Sequence, residues 1–157
     1  MQKKSLVVTA GALAMILLAG NSLSAENTNP RFGRWKHKSN APAPQSNIMT
    51  YAPYGKHGMK ITIDSVNKEG VKSEWGYITN FDNKDQPLTG NNGADSGAVK
   101  VLPDGVNLIT YKKGGVVTQI LINVLSPDHN TIGVMYMRQS PEGKTTNITV
   151  ATYERIQ

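Results

Sequence analysis

The residues able to do chemistry in this chain are few and scattered. There is no cysteine among the 157 residues. That removes thiol catalysis, iron–sulfur clusters and cysteine zinc sites. The three histidines, His37, His57 and His129, stand alone, with no second ligand at metal-binding spacing. Asp95-Ser96-Gly97 has the order of a serine nucleophile site. A triad, however, needs a base and an orienting acid in fixed geometry, and no histidine is placed for it. Gly143-Lys144-Thr145 ends like a phosphate-binding loop. That motif requires a glycine where Arg138 stands, and a helix after it. Asp82-Asn83-Lys84-Asp85 and Asp95 offer carboxylates without the twelfth-position glutamate of a calcium loop. No catalytic residue, metal site or cofactor is assigned, and the balance leans away from an enzyme.

What remains is a set suited to enclosing a small apolar or amphipathic molecule. Trp75, Tyr77, Phe81, Tyr111, Met135, Met137 and Tyr153 supply aromatic and thioether surface, and Arg138 and Arg155 supply charge to orient a ligand. A second candidate surface is electrostatic. Between Arg31 and Lys60 the chain carries Arg31, Arg34, Lys36, Lys38, Lys56 and Lys60 and no acid, whereas the rest of the chain beyond Lys60 is close to neutral. Arg31, Arg34, Lys36 and Lys38 are the candidates for holding an anionic envelope polysaccharide or a membrane surface.

These residues must be positioned by strands. Lys60 to Asp64 alternates polar and apolar, the two-residue period of a half-buried strand. Val71 to Phe81 puts Trp75, Tyr77, Thr79 and Phe81 on one face. Ala98–Leu102, Asn107–Lys112, Val116–Leu125, Thr131–Arg138 and Thr145–Ile156 follow. They are separated by Pro103-Asp104-Gly105, Lys113-Gly114-Gly115, Asp128-His129-Asn130 and Ser140-Pro141-Glu142-Gly143, all turn chemistry. Met135 and Met137 share a strand face, and Val116, Thr118, Ile120, Ile122 and Val124 share another. Residues 82–97 form a long polar stretch, broken by a short strand near Gln86–Thr89 or else free to act as a flap. Outside the first residues no segment keeps a helical period. The expected fold is all-β, a single antiparallel meander of about eight to ten strands, closed as a calycin-like barrel, with a β-sandwich as the alternative.

The N-terminus reads as a secretory signal: Lys3 and Lys4, an uncharged apolar run from Leu6 to Gly20, then small residues to Ala25. Cleavage after Ala25 leaves a flexible lead-in over 26–30 and one β domain over 31–157. The expected location is periplasmic or extracellular. Export also makes nucleic acid an unsuitable partner, and no later stretch is apolar enough to span a bilayer as a helix.

Gly33-Arg34-Trp35 ahead of a meander resembles the G-x-W start of lipocalins and related calycin barrels. The resemblance implies a barrel whose tryptophan plugs its closed end and whose lumen takes a small ligand. The later lipocalin signatures, T-D-Y and an arginine after the last strand, are not matched in order. Tyr153-Glu154-Arg155 resembles the paired arginine and tyrosine that hold a carboxylate in fatty acid-binding barrels, with the order reversed. Trp35-Lys36, the Pro42/Pro44 loop, Tyr51-x-Pro53-Tyr54-Gly55, the stretch from Phe81 to Asn91 and Thr152-Tyr153 are together similar to a group of small exported bacterial proteins of unassigned activity. The function expected from all this is a secreted small-ligand-binding β-barrel.

Overall fold

The computed structural model describes residues 28–156. The expected signal peptide and its cleavage point lie outside them. Ten strands run in chain order: β1 Gly33–His37, β2 Ser46–Tyr54, β3 Gly58–Val66, β4 Lys72–Thr79, β5 Gln86–Pro87, β6 Ser96–Val101, β7 Asn107–Lys113, β8 Val116–Leu125, β9 Thr131–Gln139 and β10 Thr145–Arg155. The one helical piece among the described residues is a single turn at Pro103–Gly105.

Every strand pairs antiparallel with its chain neighbour except across the β4–β5 gap, and β1 pairs with β10. The order β4-β3-β2-β1-β10-β9-β8-β7-β6-β5 is therefore one continuous sheet. Its two ends meet through isolated bridges, Gly76 with Thr89 and, just after β4, Asp82 with Lys100. Gly76 on β4 and Thr89, just beyond β5, exchange two backbone hydrogen bonds of 3.0 Å each. The sheet is a nearly closed barrel, and the sandwich alternative is excluded by this continuity. Closure suits a chain without disulfides, because it removes the unpaired edges that would otherwise template aggregation.

Glycine permits the seam. A Cβ on Gly76 would lie 2.4 Å from the Ile61 carbonyl oxygen, and one on Gly90 would lie 2.3 Å from the Glu74 carbonyl oxygen. Gly90 also has φ +76°, a conformation that side-chain-bearing residues reach only at a cost.

The strand order corrects several local expectations. β2 was not anticipated as a strand, yet Asn47, Met49 and Tyr51 alternate inward along it. β4 ends at Thr79, and Phe81 sits beyond it in the left-handed region at φ 59°. The 82–97 stretch is divided by β5, as the Gln86–Thr89 expectation had it. It is also fastened. Leu88 N–H donates to Asp95 O at 2.9 Å, Asp95 N–H to Lys112 O at 2.8 Å, and Ala94 is buried. Of the expected lead-in, Asn29 accepts from Phe32 N–H at 2.9 Å and Pro30 O accepts from Arg155, so these two residues are held in place.

One end of the barrel is densely packed. Trp35, Met59, Ile132 and Asn123 are fully buried there. The Trp35 indole donates to Arg31 O at 2.9 Å. The Arg155 guanidinium lies 4.1 Å above the Trp35 ring and donates to Phe32 O and His129 O, both at 2.8 Å. A tryptophan plug thus exists where the G-x-W resemblance implied one. An arginine caps it from within the last strand rather than after it.

Candidate functional site

Inside the barrel, above this plug, lies a cavity of about 190 Å³. Its wall is built from alternate residues of seven strands. β2 gives Asn47, Met49 and Tyr51, and β3 gives Ile61 and Ile63. β4 gives Trp75 and Tyr77, and β7 gives Ile109 and Tyr111. β8 gives Gln119, Leu121 and Asn123, β9 gives Val134 and Tyr136, and β10 gives Tyr153; Asn91 comes from the loop after β5. Five of the six tyrosines line it, and no charged side chain does.

The aromatic wall is ordered by edge-to-face contacts. Tyr111 meets Trp75 and Tyr77 with ring centroids 5.8 Å apart in both cases and interplanar angles of 83° and 87°. Trp75 and Tyr77 stack at 6.4 Å. Such pairs contribute about 0.5–1.5 kcal/mol beyond simple burial, so they hold the rings against collapse into the void.

Polar groups at the floor are bonded to one another. Arg31 Nε donates to Asn123 Oδ1 at 3.2 Å, and Asn123 Nδ2 donates to the Tyr51 hydroxyl at 3.1 Å. The Tyr51 hydroxyl in turn donates to Met49 Sδ at 2.8 Å. Higher in the wall the hydroxyls pair: Tyr111 with Tyr77 at 3.3 Å, and Tyr136 with Tyr153 at 3.1 Å. Each pair uses one of its two protons, so each keeps a hydroxyl donor to spare among the described residues. Asn47 donates to Ser65 Oγ at 2.8 Å, but its buried Oδ1 has no partner. The lumen thus combines tyrosine hydroxyls and the side-chain amides of Asn47, Asn91, Gln119 and Asn123 with an aromatic and aliphatic wall.

Burial pushes the tyrosines of the wall upward in pKa, Tyr77 to about 12, because the phenolate would be stranded away from water. Tyr51, Tyr111, Tyr136 and Tyr153 shift in the same direction for the same first cause. The sign of the linkage follows. Folded phenols stay protonated where unfolded ones, with a pKa near 10, would ionise. Their contribution to stability is complete below about pH 10 and declines as pH rises above it, that of Tyr77 through about pH 12. An alkaline titration is expected to show the phenolate absorbance of these residues appearing together with loss of near-UV circular dichroism. Phenolate formation in a still-folded barrel would contradict this.

The residues singled out from sequence divide cleanly. Trp75, Tyr77, Tyr111 and Tyr153 line the cavity. Arg138 stands at its mouth, in an adjoining pocket of about 240 Å³ that shares Asn91, Tyr111 and Gln119 with the lumen. Phe81 packs against the core without lining the cavity. Arg155 belongs to the packed end, where it caps Trp35. Met135 and Met137 are corrected outright. They sit on the outer face, Met137 level with Ile120 and Ile148, and Met135 level with Ile122 and Val150. Met135 is 41% exposed and Val150 76%. In β9 the inward positions are Ile132, Val134 and Tyr136 instead.

The basic segment is also reorganised by folding. Arg31 is buried, bonded to Asn123 and, through Nη2, to Gly105 O at 2.7 Å. It is therefore a structural residue and not a surface anchor. Lys38 pairs with Glu154 at 2.8 Å. Lys36 faces outward, with Glu154 beside it on β10, while Asp64 and Glu74 follow Ile48 along the same row. Arg34 is exposed on the same outer face of β1. A stretch free of acids in sequence is interleaved with acids in space.

The residues that sequence reading missed are Asn47, Met49, Tyr51, Asn91, Gln119, Asn123 and Tyr136. The alternation in β2 was a usable signal, obscured by Pro53. The inward amides of β8 had none, because Gln119 and Asn123 read as a solvent face opposite Ile120, Ile122 and Val124.

No family model matches the sequence, and no curated protein matches it either. Among solved structures, the fluorescent protein UnaG superposes with a TM-score of 0.53 at 11% identity in two crystal structures, one of a mutant and one of the wild type. An asparagine-to-glutamine mutant covers 80% of this chain and 95% of its own, and the wild type covers 79% and 96%. What is shared at that identity is architecture: this chain is an all-β, ten-stranded, nearly closed antiparallel barrel.

Proposed function

We propose that this protein is an exported binding protein that takes a small molecule into the barrel lumen. The observation that carries the reading is the cavity of about 190 Å³ inside the barrel, walled by tyrosines. An empty space framed by edge-to-face rings costs packing energy that collapse would otherwise recover. A guest with apolar surface recovers it. The volume is below the roughly 300–1,000 Å³ of sites for drug-sized ligands. It is close to the roughly 150 Å³ that accepts a single aromatic ring. The guest is correspondingly small. Export rests on the order of the N-terminal residues, and the likeness in fold to UnaG is consistent with a lumen-based role.

Native mass spectrometry of the protein taken from its own source is expected to show a retained species of low mass. Val134→Trp, which fills the lumen from β9, is expected to abolish that retention while costing about 1–3 kcal/mol of stability from overpacking. Retention unchanged in a folded Val134→Trp protein would place the ligand elsewhere and defeat the proposal.

A further inference from the structure

Resting on the lumen reading, a second step concerns the chemical class of the guest. The lumen itself holds no charge, but its mouth does. Arg138 sits at the inward-facing position of β9 above Tyr136, between Gln119 on β8 and Asn147 on β10. It lines the pocket that adjoins the cavity and shares Asn91, Tyr111 and Gln119 with it. No acid lines that pocket. Among the described residues the Arg138 guanidinium makes neither an ion pair nor a hydrogen bond. The other candidate arginines are committed elsewhere: Arg31 to the floor and Arg155 to the Trp35 cap.

A guanidinium left with its donors unused, at the rim of an apolar chamber, is matched by a planar anion that accepts two parallel hydrogen bonds. The chamber below it is the size of one or two fused rings and is walled by Trp75, Tyr77 and Tyr111. We infer that the ligand is a small aromatic carboxylate. Its carboxylate rests on Arg138 at the mouth, and its ring lies in the lumen.

Indole-3-acetate and 3-methylindole form a matched pair of probes. Both carry the ring and its N–H, and only the first carries the carboxylate. Calorimetric titration of the full protein is expected to show indole-3-acetate binding more tightly, with 3-methylindole displaced by it. Arg138→Gln is expected to weaken indole-3-acetate by about five- to tenfold, as for a partly solvated charge-assisted pair, and to leave 3-methylindole within about twofold. Added salt should weaken only the anion. If both probes bind the wild type and Arg138→Gln does not separate them, the anionic class is overturned while the lumen site stands. If neither probe binds, this inference is overturned and the lumen reading stands or falls on the retained species; if Val134→Trp fails to block a probe that binds the wild type, both fall. Arg138 is exposed and its side chain is not engaged in an ion pair or hydrogen bond, so loss of folding in that variant is not expected to obscure the result.

Discussion

Replacing Trp35 by alanine is expected to lower the free energy of unfolding by about 3–5 kcal/mol, the range for emptying a large buried aromatic site. The side chain is wholly inaccessible, and it terminates the core at the packed end of the barrel. Three separate interactions disappear with it: its packing among the buried residues, the indole hydrogen bond to Arg31 O at 2.9 Å, and the seat for Arg155 at 4.1 Å. The last matters because Arg155 also ties the chain before β1 to the β8–β9 turn, through Phe32 O and His129 O. A protein of this size has a total stability of about 5–15 kcal/mol, so the variant should unfold at much lower urea. Trp35→Phe retains part of the packing but none of the indole hydrogen bond, and should fall between the two. Equilibrium urea denaturation followed by far-UV circular dichroism measures both. A loss below about 1 kcal/mol for Trp35→Ala would mean that this end is not the closed floor of the barrel.

The second large effect is expected at the seam. Gly90→Val should cost about 2–4 kcal/mol, by two independent routes. Its backbone at φ +76° is poorly accessible to a β-branched residue, and its Cβ would lie 2.3 Å from Glu74 O and 3.1 Å from Trp75 Cα. Backbone atoms cannot step aside as a flexible side chain would. The Thr89–Gly76 bridge must therefore open, and with it the point where β4 meets the β5 end of the sheet. Hydrogen exchange should report this locally. The Gly76 and Thr89 amides should exchange far faster, while those of the long β9–β10 ladder stay protected. Gly114→Asn is the control, with φ +55° and nothing within 4 Å of its Cβ. Asparagine tolerates that conformation, and the change should cost under about 1 kcal/mol. Equal protection at the seam in Gly90→Val would show that closure does not depend on this contact. An opened seam would also perturb Trp75 and Tyr77, which border it, and so couple stability to the lumen.

The sequence by itself determined that this is a β protein, roughly how many strands it has, and where most of them turn. That information is local. Two-residue alternation from Lys60 to Ile156 and glycine-bearing turns such as Pro103-Asp104-Gly105 act within a few residues of themselves. It also placed Trp75, Tyr77, Tyr111 and Tyr153 among the residues of interest, because large aromatics on an alternating strand have few other places to go. Only the tertiary structure decided which face of β8 and β9 points inward. Both strands carry apolar residues on both faces, so their own pattern cannot choose between Ile120 and Leu121, or between Met135 and Tyr136. The choice comes from register with neighbouring strands, since a shift of one residue reverses every side chain. In the barrel adopted, Asn123 is turned inward because Arg31 and Tyr51, far away in sequence, arrive to satisfy its amide. The fate of the basic segment was non-local for the same reason. Glu154, Asp64 and Glu74 reach it only across strands, so its charge in space differs from its charge along the chain.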